Sequence, residues 1–253
     1  MPQPTDERRD DHRAPSFGHW LRELPNLPKI WSSSIRPVRL PDGEASRLPS
    51  GVDQQPVLVI PGILSRDYSS SLLRRTLNAA GYDAYASELG VLTGITREMF
   101  ARAEARLDEV YTLTGQKVAL IGISLGGLYA RVLAQRHPEK VALVMTLGTP
   151  FSGDRRANNA WRLYEAMNDH KVDDPPLSDD PRQKPPVRTI AIWSPHDGIV
   201  APACSRGEEG ECDRAIEVPE RHFEFSASRA SIERVLSILG EELAAVRGES
   251  CAD

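Results

Sequence analysis

The sequence predicts an α/β fold: a doubly wound, mostly parallel sheet with a short cap insertion. Three observations carry that expectation. Short apolar runs alternate with helical patterns from residue 56 almost to the C-terminus. The runs are apolar throughout, as parallel strands covered on both faces are. One of them, Val118 to Ile121, leads through Gly122-Ile123-Ser124-Leu125-Gly126-Gly127 into a helical pattern from Leu128 to Arg136. Strands separated by helices specify such a sheet, and its ligand site lies beyond the carboxyl ends of the strands.

Taken in order, residues 1–50 read as an arm, because eight of the chain's 20 prolines fall there and disfavour both long helices and central strands. Residues 1–14 are polar and charged, with the composition of a disordered segment. Phe17, Trp20, Leu21, Leu24, Leu27, Ile30 and Trp31 then give the arm apolar surface to pack on the body, or to lay against lipid or an acyl chain. The domain proper is expected over 51–247. Val57 to Ile60 and Tyr82 to Ala86 read as strands, with a helix over 69–80 stopped by Gly81. Phe100, Ala103, Leu107 and Val110 recur at helical spacing within 96–114, and Gly115 ends that helix. Further strands are expected at 141–147, 187–193 and 215–218, and a last helix at 230–246. Between two of these strands, 151–186 is rich in Pro, Asp and Arg but carries a helical piece around Trp161 and Tyr164. A long segment at the end of the sheet where a site opens reads as a cap. No internal repeat is present.

Composition excludes several classes. A chain of 253 residues, 40% hydrophobic, builds one good-sized core. Its net charge of −5, with both signs interspersed, gives no footprint for nucleic acid. No apolar run approaches the roughly 20 residues needed to cross a bilayer, and the N-terminus lacks the apolar core of a signal peptide, so the expected compartment is the cytoplasm. Cys204, Cys212 and Cys251 have no partners at metal-ligand spacing, so no metal site is expected. Cys204 and Cys212 bracket a loop that a disulfide would close, but free thiols are favoured without a secretory signal. Only five of the 31 basic residues are lysine, a bias of GC-rich bacterial genomes.

The strand, turn and helix around Ser124 put a serine hydroxyl at a strained strand tip above a helix N-terminus. Such a hydroxyl becomes a nucleophile only if a histidine takes its proton, a carboxylate orients that histidine, and N–H donors receive the oxyanion. Asp197 stands just past the strand ending at Trp193; its plainer reading is an Asp stabilising its own turn. His222 is the one histidine beyond Asp197 and falls in a loop before the last helix. His196 and His170 are the reserve bases, and Asp154 the reserve acid. Leu125 and Ile63 are expected to supply the oxyanion N–H groups, with Leu64 second to Ile63. Leu64, Phe151 and Trp161 are candidate substrate contacts. With neither G-x-G-x-x-G nor a P-loop present, no cofactor is implied.

Pro61-Gly62-Ile63, Gly122 to Arg131, and Thr146-Leu147-Gly148-Thr149-Pro150-Phe151-Ser152-Gly153 resemble the corresponding stretches of lipase-like α/β-hydrolases, over roughly residues 56–240. Leu147 to Gly153 is the most telling, being similar to bacterial lipases and esterases more than to peptidases or dehalogenases. Arg221 departs from that pattern, standing before the histidine where Gly or Ser is common. The resemblance implies hydrolysis of a carboxylic ester, a small molecule or a lipid, through an acyl-enzyme on Ser124. A thioesterase or acyltransferase would use the same groups, and a non-catalytic relative would bind a hydrophobic ligand beneath the cap. Nothing in the sequence fixes an oligomeric state.

Overall fold

The computed structural model describes residues 12–26, 35, 37, 38 and 54–250. Six parallel strands, β1 (Pro56–Ile60), β2 (Asp83–Ala86), β3 (Val118–Ile123), β4 (Val141–Leu147), β5 (Arg188–Trp193) and β6 (Arg214–Glu217), form one sheet in the order β2-β1-β3-β4-β5-β6. The helices are α1 (Phe17–Leu21), α2 (Ser71–Ala79), α3 (Arg97–Thr114), α4 (Leu125–Arg136), α5 (Trp161–Met167), α6 (Pro202–Arg206) and α7 (Arg229–Ser250).

The continuous apolar runs have a simple cause, because successive residues of a strand point to opposite faces. Val57, Val59, Ala119 and Ile121 face α2 and α7, where Leu73, Leu77, Val235 and Leu239 meet them. Leu58, Ile60, Val118 and Leu120 face α3 and α4, where Phe100, Leu107, Ala130 and Leu133 close the other core. Both sides are therefore buried, and neither tolerates a polar residue without a partner.

Two elements differ from the sequence expectation. α4 begins at Leu125, directly on the Ser124 turn rather than three residues later, because Gly126 and Gly127 are helical here despite their low propensity. β6 runs over Arg214–Glu217 and is largely exposed instead of covered on both faces, since it is the edge of the sheet. It is anchored from the side: Glu242 of α7, itself buried, accepts from Arg188 Nε at 2.6 Å and Arg214 Nη1 at 2.5 Å. Helix ends follow their signals more closely. Thr96 caps α3 by accepting the Met99 N–H at 3.1 Å, and Gly115 closes it at φ 65°.

Strand order reverses between β1 and β3, so their carboxyl ends flank the crevice where ligands bind in such sheets. Within 151–186, α5 is the one helix, and Phe151, Pro181 and Arg182 are in contact with Arg131 of α4. That fully buried guanidinium donates to the carbonyls of Pro181, Arg182 and Glu211 at 2.5, 3.2 and 2.7 Å and lies 4.0 Å from the Phe151 ring centroid. Burial lowers its pKa to about 10, against the raising influence of Cys212, Glu211 and Asp180.

Of the arm, Phe17, Trp20, Leu21 and Leu24 fall within the described residues and Leu27, Ile30 and Trp31 outside them, as does most of the segment expected to be disordered. Ser16 caps α1 by accepting the His19 N–H, and Trp20 packs against the cluster of Ala157, Ile199, Val200, Ala201 and Cys204. Cys204 and Cys212 are free thiols; burial pushes the first up to about 11. Cys251 lies outside the described residues.

Candidate active site

The turn after β3 is the starting point. Ser124 adopts φ 50°, ψ −119°, a conformation that costs a non-glycine residue of order 1–3 kcal/mol and persists only where surroundings enforce it. The enforcement is visible: a Cβ on Gly126 would strike the carbonyls of Ile60 and Pro61, and one on Gly122 the backbone of Gly127. Helix and strands thus approach closer than any side chain permits. Ser124 N–H donates to Leu147 O at 2.8 Å, which fixes the turn to the end of β4.

Asp197 and His222 come from the loops after β5 and β6. Asp197 Oδ2 lies 2.7 Å from His222 Nδ1, with the two side chains 0% and 6% exposed. The other oxygen, Oδ1, accepts the N–H groups of Ile199 at 2.8 Å and Val200 at 2.9 Å. One oxygen therefore holds the turn, as the plainer reading has it, and the other contacts the imidazole. The pair is adjacent to the serine turn through Gly148, which follows Leu147. Asp197 Oδ2 lies 3.0 Å from where a Gly148 Cβ would stand, and the Phe225 ring, edge-on to His222 at 6.2 Å, packs against the same residue. Among the described residues neither Ser124 Oγ nor His222 Nε2 has a hydrogen-bond partner. Ser124 lines the cavity described below, whereas the buried His222 does not; in unliganded sites such contacts often tighten only on binding.

Burial alone would lower the pKa of His222. The charge of Asp197 and its hydrogen bond, with the charge of Glu23 behind them, outweigh that and hold the imidazole above its usual value. Glu23 is the residue that sequence reasoning missed. It comes from the arm, is 1% exposed, and accepts the N–H groups of Gly198, His222 and Phe223.

For the oxyanion, the N–H groups of Ile63 and Leu125 have no partner among the described residues, whereas Leu64 N–H is taken by Leu92 O at 2.6 Å. Gly62 passes so near that a Cβ there would lie 3.3 Å from Ser124 Cβ. A cavity of about 350 Å³ opens beside these groups. Ile63, Ser124 and Leu125 stand in its wall with Phe151, Trp161 and Tyr164; Leu64 does not, its side chain being turned to solvent. Of the reserves, His196 is exposed and Asp154 holds its own turn through Arg156 N–H. His170 is committed to Tyr164 Oη at 2.8 Å and to Asp169. No three His, Cys, Asp or Glu side chains among the described residues group as a metal site, and no helix among them is long and apolar enough to cross a membrane.

No curated protein matches the chain. A family model for the alpha/beta hydrolase fold matches residues 96–178, from the start of α3 into the 151–186 segment. Several solved structures share the architecture. The mature lipase BlEst2 of Bacillus licheniformis is 16% identical, covering 81% of this chain and 96% of its own, with a TM-score of 0.56. The monoacylglycerol lipase of Paleococcus ferrophilus is 18% identical over 76% and 96%, with a TM-score of 0.53. The naproxen esterase of Bacillus subtilis is 16% identical over 94% and 100%, at 0.51. With its strand order, its serine turn and these neighbours, the chain has the α/β-hydrolase fold.

Proposed function

We propose that this protein is a serine hydrolase that cleaves carboxylic esters. Ser124 Oγ attacks the ester carbonyl while His222 Nε2 takes its proton, and the oxyanion is received by the N–H groups of Ile63 and Leu125. Collapse breaks the ester bond, and the departing alkoxide takes the proton back from Nε2. Water then attacks the acyl-enzyme with His222 again as base, which frees the acid and restores Ser124. Asp197 keeps the ring in the tautomer with Nε2 unprotonated and stabilises the imidazolium that forms. The observation that carries this reading is the 2.7 Å contact of Asp197 with His222 beside a strained, unpartnered serine at a helix N-terminus. The esterase and lipase names of several neighbours agree with it.

The cavity supports an apolar acyl group. Its volume of about 350 Å³ accommodates on the order of ten water-sized units, each close to a methylene in bulk. In a p-nitrophenyl ester series, kcat/KM is expected to rise from acetyl to an acyl chain of about eight carbons and fall beyond it. The decisive test is covalent: a fluorophosphonate should label the wild type and leave Ser124→Ala unlabelled. A folded wild-type protein that neither labels nor cleaves any ester of the series would leave the fold with a binding role instead.

A further inference from the structure

The contact least expected of an N-terminal arm is the one made by Glu23. After α1 the chain turns inward and buries this carboxylate among three backbone amides. Oε1 accepts from Gly198 N–H at 2.9 Å and from His222 N–H at 3.0 Å; Oε2 accepts from Phe223 N–H at 3.3 Å. Gly198 directly follows Asp197 in the loop after β5, and His222 and Phe223 belong to the loop after β6. One carboxylate thus bridges the two loops that carry the acid and the imidazole.

The fit is shaped on both sides. A Cβ on Gly198 would meet His19 O at 2.5 Å and Glu23 Cγ at 2.7 Å, so a side chain there would push the arm away. Arg221 Nη1 donates to Arg22 O at 3.1 Å, and Asn159 Nδ2 donates both to Pro15 O at 3.0 Å and to Gly198 O at 2.8 Å. No cation is paired with the Glu23 carboxylate among the described residues. Burying a lone carboxylate is costly unless hydrogen bonds and a nearby positive charge offset it. A glutamine would keep the two Oε1 bonds without that cost, so the charge itself calls for a reason. The ring of His222 supplies one. Asp197 and Glu23 are the acidic groups acting on it, the rings of Phe223 and Phe225 flank it, and the guanidinium of Arg221 is turned away to the arm.

We propose that Glu23 is a positioning residue that ties the Asp197 loop to the His222 loop and places a second negative charge behind the imidazole. This rests on the reading of His222 as the base. Its action is indirect: it touches neither substrate nor Ser124, but sets where the ring stands and how readily it holds a proton.

Two variants of the full chain separate scaffold from charge. Glu23→Ala removes both and is expected to lower kcat about 10- to 100-fold with KM within about twofold, the size of loss that a small misplacement of a reacting group causes. Glu23→Gln retains an acceptor at the Oε1 position, so kcat falls less. Without the charge, the acid limb of its kcat–pH profile moves to lower pH, because a neighbour that raises the imidazole pKa is gone. Should Glu23→Ala not fold, the glutamine variant decides alone. A folded Glu23→Gln with an unshifted acid limb, or a folded Glu23→Ala with wild-type kcat, overturns the proposal. If the wild type proves inert toward fluorophosphonate and esters, the ester-hydrolase reading fails instead, and Glu23 is still tested by NMR titration of the His222 ring in wild type and Glu23→Gln. An unmoved midpoint counts against it.

Discussion

Asp197 does two jobs with two oxygens, and an amide in its place separates them. In Asp197→Asn one side-chain oxygen still accepts from Ile199 and Val200, so the turn survives. The NH₂ group now faces Nδ1, which must accept, and the proton moves to Nε2, where it blocks the removal of a proton from Ser124. A loss in kcat on the order of 10³- to 10⁴-fold is expected, with a melting temperature close to wild type. Asp197→Ala also leaves two turn amides unpaired and should cost about 2–6 kcal/mol of stability as well, measurable by denaturant titration. The raised pKa of His222 gives two pH dependences of opposite sense. Activity needs the neutral ring, so it climbs as pH rises through the raised pKa. Stability runs the other way: the favourable protonation in the folded state is fully present below the unfolded pKa and is lost as pH rises through the folded one. The stability gap between wild type and His222→Gln should therefore shrink from pH 5 to pH 9. The sequence singles out Ser124, Asp197 and His222 because the proposed mechanism fixes their order and each follows a recognisable strand. Glu23 was not legible there, for nothing local distinguishes it from any glutamate in a proline-rich stretch. Its meaning lies wholly in amides that stand far away along the chain.

At the scale of elements, α4 joins the serine turn at one end to the insertion at the other. Its start was misread because Gly126 and Gly127 are poor helix formers, and the very lack of a side chain that makes them so lets the helix sit against β1 and Thr149. Packing outweighs propensity there. The edge strand β6 was misread for the converse reason, since an apolar run does not reveal which strand ends a sheet. Farther along α4, the buried Arg131 donates to three carbonyls in the interior. Arg131→Leu should lower stability by at least about 3 kcal/mol, given roughly 1–3 kcal/mol for each of the three buried carbonyls left unpaired. Limited proteolysis should then cut first within 151–186, while the sheet stays protected.

For the whole molecule, the alternation of strand and helix and the apolar content of the strands were enough to specify a doubly wound sheet and the end at which a site opens. What they leave out is how the parts beyond the sheet close on it. The loop carrying Asp197 is gripped from two directions: by the arm through Gly198, and by the insertion, where Asn159 N–H donates to Ile199 O at 2.7 Å and Ala201 N–H to Ala157 O at 3.0 Å. The grip of Glu23 on His222 spans 199 positions of the polypeptide. Contacts so remote in sequence are slow to form, because the entropy of closing the intervening chain must be overcome first. In refolding from denaturant, ellipticity should therefore recover before the ability to cleave an ester. During synthesis the same order holds. On the proposed mechanism, a nascent fragment that already contains Ser124 is chemically harmless on the ribosome, and its hydroxyl is armed only once His222 has emerged.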